Sequence, residues 1–343
     1  MDGSVQEIEA LVCSEPGKLE LVRRSGPRHD PARVLVRPRR VGICGTDYHI
    51  FQGQHPYLQY PRVIGHELAV EVVEAPEASG LSAGEICVAN PYLSCGDCIA
   101  CRAGKPNCCV QISVMGVHQD GGLAGLLSVP VGNVIPAPGL SADECASVEF
   151  LAIGAHAIRR GAVTGADKVL IVGAGPIGLG VAFFARLSGA SVVIFDREPE
   201  RAAAAQSIVG VGVLLAAGDP SLAVSAATGG NGFDVVVDAT GSRSAMEKGF
   251  EFVAHGGRYV LVSVIKDAVS FADPDFHRKE MTLLGSRNAT TEDFQRVIEA
   301  IRLGHIPIAR LVTHRSSLAD AVRDIPIWAT QKTGLIKALI DID

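Results

Sequence analysis

The stretch "KVLIVGAGPIGLGVAFFARLSGASVVIFDR" (residues 168–197) decides the reading of this chain. It opens on an apolar, β-branched run, passes through G-x-G-x-x-G at Gly173, Gly175 and Gly178, continues as an apolar helical segment, and ends on a second β-branched run at Asp196. Gly173 allows a tight turn, Gly175 lets backbone approach a pyrophosphate, and Gly178 lets helix and strand pack closely. The helix N-terminus supplies the positive end of its dipole, and Pro176 and Ile177 complete the candidate cofactor-binding turn. A carboxylate at Asp196 can bind both hydroxyls of an adenosine ribose and would repel a 2′-phosphate, so NAD is expected over NADP. Arg197 is the complication, since a nearby Arg can accommodate that phosphate; Arg201 joins the cofactor-binding candidates. The ordinary alternative is a Gly-rich turn with no ligand. The apolar window Val169–Ala185 approaches membrane-spanning length, but four glycines and a proline interrupt it, so strand, turn and helix explain it better.

Outward from that turn, residues from about 150 alternate between helical and β-branched segments. The expected order is helix 150–160, strand, Gly-turn, helix 176–188, strand, helix 198–207, strand "FDVVVDAT", helix 244–254 and strand "GRYVLVSV". Strands alternating with helices of this length imply parallel βαβ units and a doubly wound sheet. Before residue 148 the texture is β-rich: "RVLVRPRRVGI", "AVEVVEA" and "LLSVPVGNVIPAP" are short β-branched runs between Gly, Pro and Asp. After "LLGSRN" a helix over 291–302 and a β/α ending follow. At 343 residues the chain exceeds the size at which single cores stop growing, and two domains are expected.

A net charge of −6 gives no electrostatic reason to bind nucleic acid or an anionic membrane. The N-terminal segment lacks the basic and apolar regions of a secretory signal, so a cytoplasmic setting with reduced cysteines is expected. Five of the nine cysteines crowd into "YLSCGDCIACRAGKPNCCV" (residues 92–110). Cys95, Cys98, Cys101 and Cys109 follow C-x2-C-x2-C-x7-C, and four thiolates can close a tetrahedral zinc shell with no open position, which makes such a site structural. Two disulfides are the alternative; Cys108 is left over and expected free or packed. Elsewhere "GICGTDYHI" holds Cys44, Thr46, Asp47 and His49, and "VIGHEL" holds His66 and Glu67. A catalytic zinc needs three protein ligands and one open position. Taken singly, Cys44 reads more readily as a buried small hydrophobe, and His49 or His66 as an ordinary hydrogen-bonded His, than as a metal ligand.

In combination, "GICGTD", "GHE", the four-cysteine lobe and "GAGPIG" stand in the order and spacing of the zinc-dependent medium-chain alcohol dehydrogenases, which the chain resembles over nearly its whole length. "VEFLAIGAHA" further resembles the branch of sorbitol, threonine and aldonate dehydrogenases. The resemblance implies an α/β architecture: a GroES-like β-rich catalytic domain over 1–148 with the lobe at 92–110, a Rossmann domain over 149–286, and a return to the catalytic domain over 287–343. It implies two zinc ions per chain, the catalytic one held by Cys44, His66 and Glu149, with Glu67 behind it or exchanging into the shell. Asp47 would orient His66, and Thr46 and His49 match the family's proton path. Cys145, four residues before Glu149, does not match the motif and reads as a core cysteine. Departures are Val70 and Gly125, where the family usually has a glycine and a polar anchor. A homo-oligomer, dimer or tetramer, is implied by the family.

The expected reaction is NAD-linked oxidation of a secondary hydroxyl of a small-molecule polyol or sugar acid to the ketone, and the reverse, with L-threonine or a simple secondary alcohol as the alternative. His118 in "VMGVHQDGG" and Arg287 and Asn288 in "LGSRNAT" are substrate candidates. An Arg can take a carboxylate through two parallel hydrogen bonds, which motivates an aldonate; Arg287 reads equally as a pyrophosphate or interdomain contact.

Overall fold

The computed structural model describes residues 6–55, 58–214 and 218–342. The chain forms two compact units, Met1–Glu149 with Thr290–Asp343, and Phe150–Ala289.

In the second unit, six strands line up in the order Gly212–Leu214, Ser191–Phe195, Lys168–Val172, Phe233–Asp238, Val253–Leu261 and Thr282–Gly285, each parallel to its neighbours. Numbered along the chain this is 3-2-1-4-5-6, the doubly wound order whose direction reverses beside the first strand. That strand is buried from Val169 to Val172, as a sheet covered on both faces requires. Leu170, Val236, Phe252 and Tyr259 are core residues of this unit. The expected strands and helices form here with boundaries shifted by a few residues: the helix expected over 244–254 is Arg243–Phe252, and Val253, β-branched and extended (ψ 133°), already starts the next strand. The short strand Gly212–Leu214 and the helix Pro220–Thr228 also form. Neither is announced by the sequence, because a three-residue strand and an Ala/Ser-rich helix carry little periodic signal.

The first unit is built on strands in the order Val134–Pro136, Ile86–Ala89, Glu67–Glu74, Arg33–Ile43, Lys337–Asp341 and Val312–Ser317, with Leu127–Pro130 also paired to Arg33–Ile43. The long strand Arg33–Ile43 is antiparallel to both flanking strands, opposing Gly42 to Glu67 on one side and Ile43 to Ala338 on the other. Three strand termini therefore meet at one level: the end that runs into Cys44, the start that follows His66, and the start at Lys337.

Candidate active site

The turn from Ile43 into the helix Gly45–Phe51 is capped by chemistry that also aims the site. Cys44 is the N-cap residue: its Sγ accepts from Thr46 N–H at 3.2 Å, and its own N–H donates to Asp47 Oδ2 at 3.0 Å. The other Asp47 oxygen accepts from Gly65 N–H at 3.2 Å, so one fully buried carboxylate ties the segment before His66 to the segment after Cys44. His66 Nε2 then lies 3.0 Å from Cys44 Sγ, and its Nδ1 faces Asp47 Oδ1 at 3.6 Å, an ion-pair distance slightly beyond a hydrogen bond. Burial disfavours charge on His66, but Cys44 and Asp47 outweigh it and hold the imidazole pKa well above its ordinary value. Burial likewise opposes ionisation of Asp47; His66 and the two backbone donors prevail and hold the carboxyl below its usual range.

Two clusters of metal-ligating atoms share His66: Cys44, Asp47 and His66 form one, and His66, Glu67 and Glu149 the other, all atoms within 4.8 Å in each. The sequence-derived triad Cys44, His66 and Glu149 is thus spread over both, with His66 common. Glu149, in the first turn of the helix Val148–Arg160, is 2% exposed and accepts a hydrogen bond from the Tyr92 hydroxyl. Burial pushes its carboxyl up to about 7, with His66 opposing. Cys44, His66 and Glu149 come from three separate elements, Cys44 half-buried and the other two buried, and a thiol, an imidazole and a carboxylate are donor types that zinc takes. Thr46 is half-buried and His49, one turn further along the same helix, is exposed.

Glu67 is fully buried with both oxygens 2.7 Å from Lys337 Nζ, which also reaches Ile43 O at 3.4 Å. Gly42 makes room for this pair: a Cβ there would collide with Glu67 Oε2. Lys337, Gly42 and Tyr92 escape a motif-based reading. A single Lys inside the apolar strand run "LIKALI" is the signal for the first, since a buried Lys demands a partner.

In the lobe, Cys95, Cys98, Cys101 and Cys109 form a third cluster, with Sγ–Sγ distances of 3.5, 3.5 and 3.9 Å for Cys98–Cys101, Cys95–Cys109 and Cys98–Cys109. Zinc–sulfur bonds of about 2.3 Å in a tetrahedron give edges of about 3.8 Å, so the four sulfurs fit a zinc ion. Backbone donors, Val110 N–H foremost, lower the Cys98 thiol to about 6. Cys108 is exposed and Cys145 buried, both outside the clusters.

On the second unit, Gly173 has φ 101°, and a Cβ at Gly178 would collide with the Gly173 carbonyl oxygen. Gly175 caps the helix Pro176–Leu187, with Pro176 in the first turn. Asp196 Oδ2 accepts from Ala174 N–H at 2.8 Å, holding the carboxylate beside the glycine turn, while Arg197 is exposed and 3.7 Å from Glu198. Arg201 is exposed on the helix Pro199–Val209. His118 Nδ1 accepts from Val114 N–H at 3.0 Å, Arg287 is exposed, and Asn288 adopts φ 53°; none of the three joins a metal-ligating cluster. Gly125 lies against the backbone of Glu9, and Val70 is a buried strand residue.

Known proteins resemble the chain over nearly its whole length. Residues 30–139 match the alcohol dehydrogenase GroES-like domain and residues 176–302 the zinc-binding dehydrogenase family. The L-galactonate-5-dehydrogenase of Escherichia coli K12 is 40% identical over 339 residues, covering 97% of this chain and 98% of the relative. An alcohol dehydrogenase of Escherichia coli CFT073 solved with NADH superimposes with a TM-score of 0.90 at 28% identity, covering 98% of this chain and 99% of that one. A zinc-binding dehydrogenase of Sinorhizobium meliloti 1021 solved with NADP gives 0.89 at 29% identity, with the same shares covered. The chain belongs to the zinc-dependent medium-chain alcohol dehydrogenase family, and is an oxidoreductase acting on CH–OH groups. Among the described residues no helix is long and apolar enough to cross a membrane.

Proposed function

We propose that this protein oxidises a secondary hydroxyl of a sugar acid or polyol to the ketone, and runs the reverse, with Cys44, His66 and Glu149 holding a catalytic zinc, NAD exchanging the hydride, and the four lobe cysteines holding a second, structural zinc. The observation that carries the reading is the convergence of the Cys44 thiol and the Glu149 carboxylate on the buried His66 imidazole. Zinc bound there would supply Lewis acidity, lowering the pKa of a hydroxyl brought to it. Asp47 keeps the His66 ring turned so that Nε2 faces the site. Thr46 and His49 span the step from half-buried to exposed along one helix, which suits them to carry the hydroxyl proton to solvent. Glu67, both oxygens claimed by Lys337, stands behind His66. The Asp196 carboxylate, set beside the glycine turn, favours NAD over NADP. Likeness to the L-galactonate enzyme supports an aldonate as the substrate class.

The test is metal analysis together with NADH formation across aldonates, their uncharged polyols and L-threonine. Two zincs per chain and turnover strongest on aldonates are expected. A single zinc confined to the lobe, or turnover confined to threonine, would overturn the reading.

A further inference from the structure

The Tyr92 hydroxyl is buried beside Glu149. Tyr92 lies three residues before Cys95, at the base of the cysteine lobe, and its side chain runs away from the lobe to donate to Glu149 Oε1. Its backbone is held at both polar groups: its N–H donates to Asn90 Oδ1 at 3.0 Å, and its carbonyl accepts from Asn133 Nδ2 at 3.1 Å, an amide that also donates to Asn90 O at 2.9 Å. The strand Tyr92–Leu93 pairs with Ser113–Val114, and the ring stands edge-on to Phe294 with centroids 6.3 Å apart. The backbone contacts set where the side chain starts, Phe294 packs against its ring, and a buried O–H must find an acceptor.

We propose that Tyr92 is a positioning residue for the catalytic metal: its hydroxyl occupies one oxygen of Glu149 and leaves the other as the ligand. This rests on the reading of Glu149 as a zinc ligand. A carboxylate with both oxygens free can rotate or close on a metal with two bonds, filling the position a substrate needs; one with Oε1 held by a rigid donor presents a single oxygen in a set direction. Partners of ligands typically contribute 10–100-fold in metal affinity or activity, which sets the size of the effect.

The experiment uses the full chain, with zinc affinity measured by chelator competition and the lobe site as internal control, and with visible spectra of the cobalt-substituted protein. Tyr92→Phe is expected to weaken the catalytic zinc by about 10–100-fold, to shift the cobalt absorption of that site, and to leave the four-thiolate lobe band unmoved. Unchanged affinity and spectrum would overturn the proposal. Glu149→Gln separates it from the reading beneath: if that variant keeps its catalytic zinc, both fall together; if it loses the zinc while Tyr92→Phe changes nothing, only the positioning role falls. Should the phenylalanine variant not fold, difluorotyrosine at position 92 keeps the ring and strengthens the donor. The cobalt band must then move in its presence, and a stationary band refutes the role.

Discussion

Replacing Lys337 by Met removes the cation 2.7 Å from both oxygens of Glu67 while keeping a chain of similar length in the strand Lys337–Asp341. Both partners are fully buried, so the carboxylate left behind has no water and loses the ammonium that holds both its oxygens. Breaking a buried pair from one side typically costs about 3–5 kcal/mol, whereas replacing both partners by apolar side chains is often neutral or better. Lys337→Met should therefore lose about 3–5 kcal/mol, and Glu67→Met combined with Lys337→Met should return to within about 1 kcal/mol of the parent. A two-unit chain need not unfold in one step, so a local probe is required. The protein supplies one: its single tryptophan, Trp328, is buried in the first unit and edge-on to His314. Guanidinium unfolding followed by Trp328 emission, at fixed free zinc, should show the midpoint falling at unchanged slope for the single variant and recovering for the double. A single-variant loss under about 1 kcal/mol, or a double variant no better than the single, would refute the claim that Lys337 neutralises a buried Glu67.

Gly178→Ala forces a Cβ onto the Gly173 carbonyl, an overpacking of about 1–3 kcal/mol expected to appear as weakened NADH binding in a fluorescence titration while the Trp328 transition stays put. Asp196→Ser should raise the NADP-to-NAD ratio of kcat/KM by about tenfold or more, because like-charge contacts cost several kcal/mol; an unmoved ratio refutes the role of that carboxylate. Burial raises the Asp238 carboxyl to about 6 against an ordinary 3.8, with Thr240 opposing. The folded state then holds its proton more tightly than the unfolded chain, so stability from this group falls as pH rises from about 4 to about 6 and is flat above. Asp238→Asn should thus gain on the parent across that window, by up to about 3 kcal/mol; a stability difference constant from pH 4 to 8 contradicts it.

The parallel sheet was legible because its strands are β-branched runs and its glycine turn has one geometric use, and Gly173 and Gly178 occupy the positions that use requires. Cys44, His66 and Glu149 could be picked out only through a family pattern, since a half-buried Cys, a buried His and a buried Glu are each ordinary alone. Lys337 and Tyr92 could not, because their roles come from sheet register and from a strand two residues long. What a strand end faces is decided by pairing over long separations, and no local window contains it.

The Lys337–Glu67 contact closes a span of 270 residues, whereas Cys44 and His66 are 22 apart. By chain-closure entropy alone the longer span is about 2 kcal/mol harder to draw together. On closure entropy alone the thiol and imidazole are expected to come within reach of each other before Lys337 claims the Glu67 carboxylate. A metal ion arriving in that interval would meet a donor set with an additional anion, one that docking of the strand Lys337–Asp341 would later withdraw. The order of events, metal first or strand first, becomes a variable of maturation, and protein refolded with zinc present from the start need not pass through the same coordination as protein given zinc once folded.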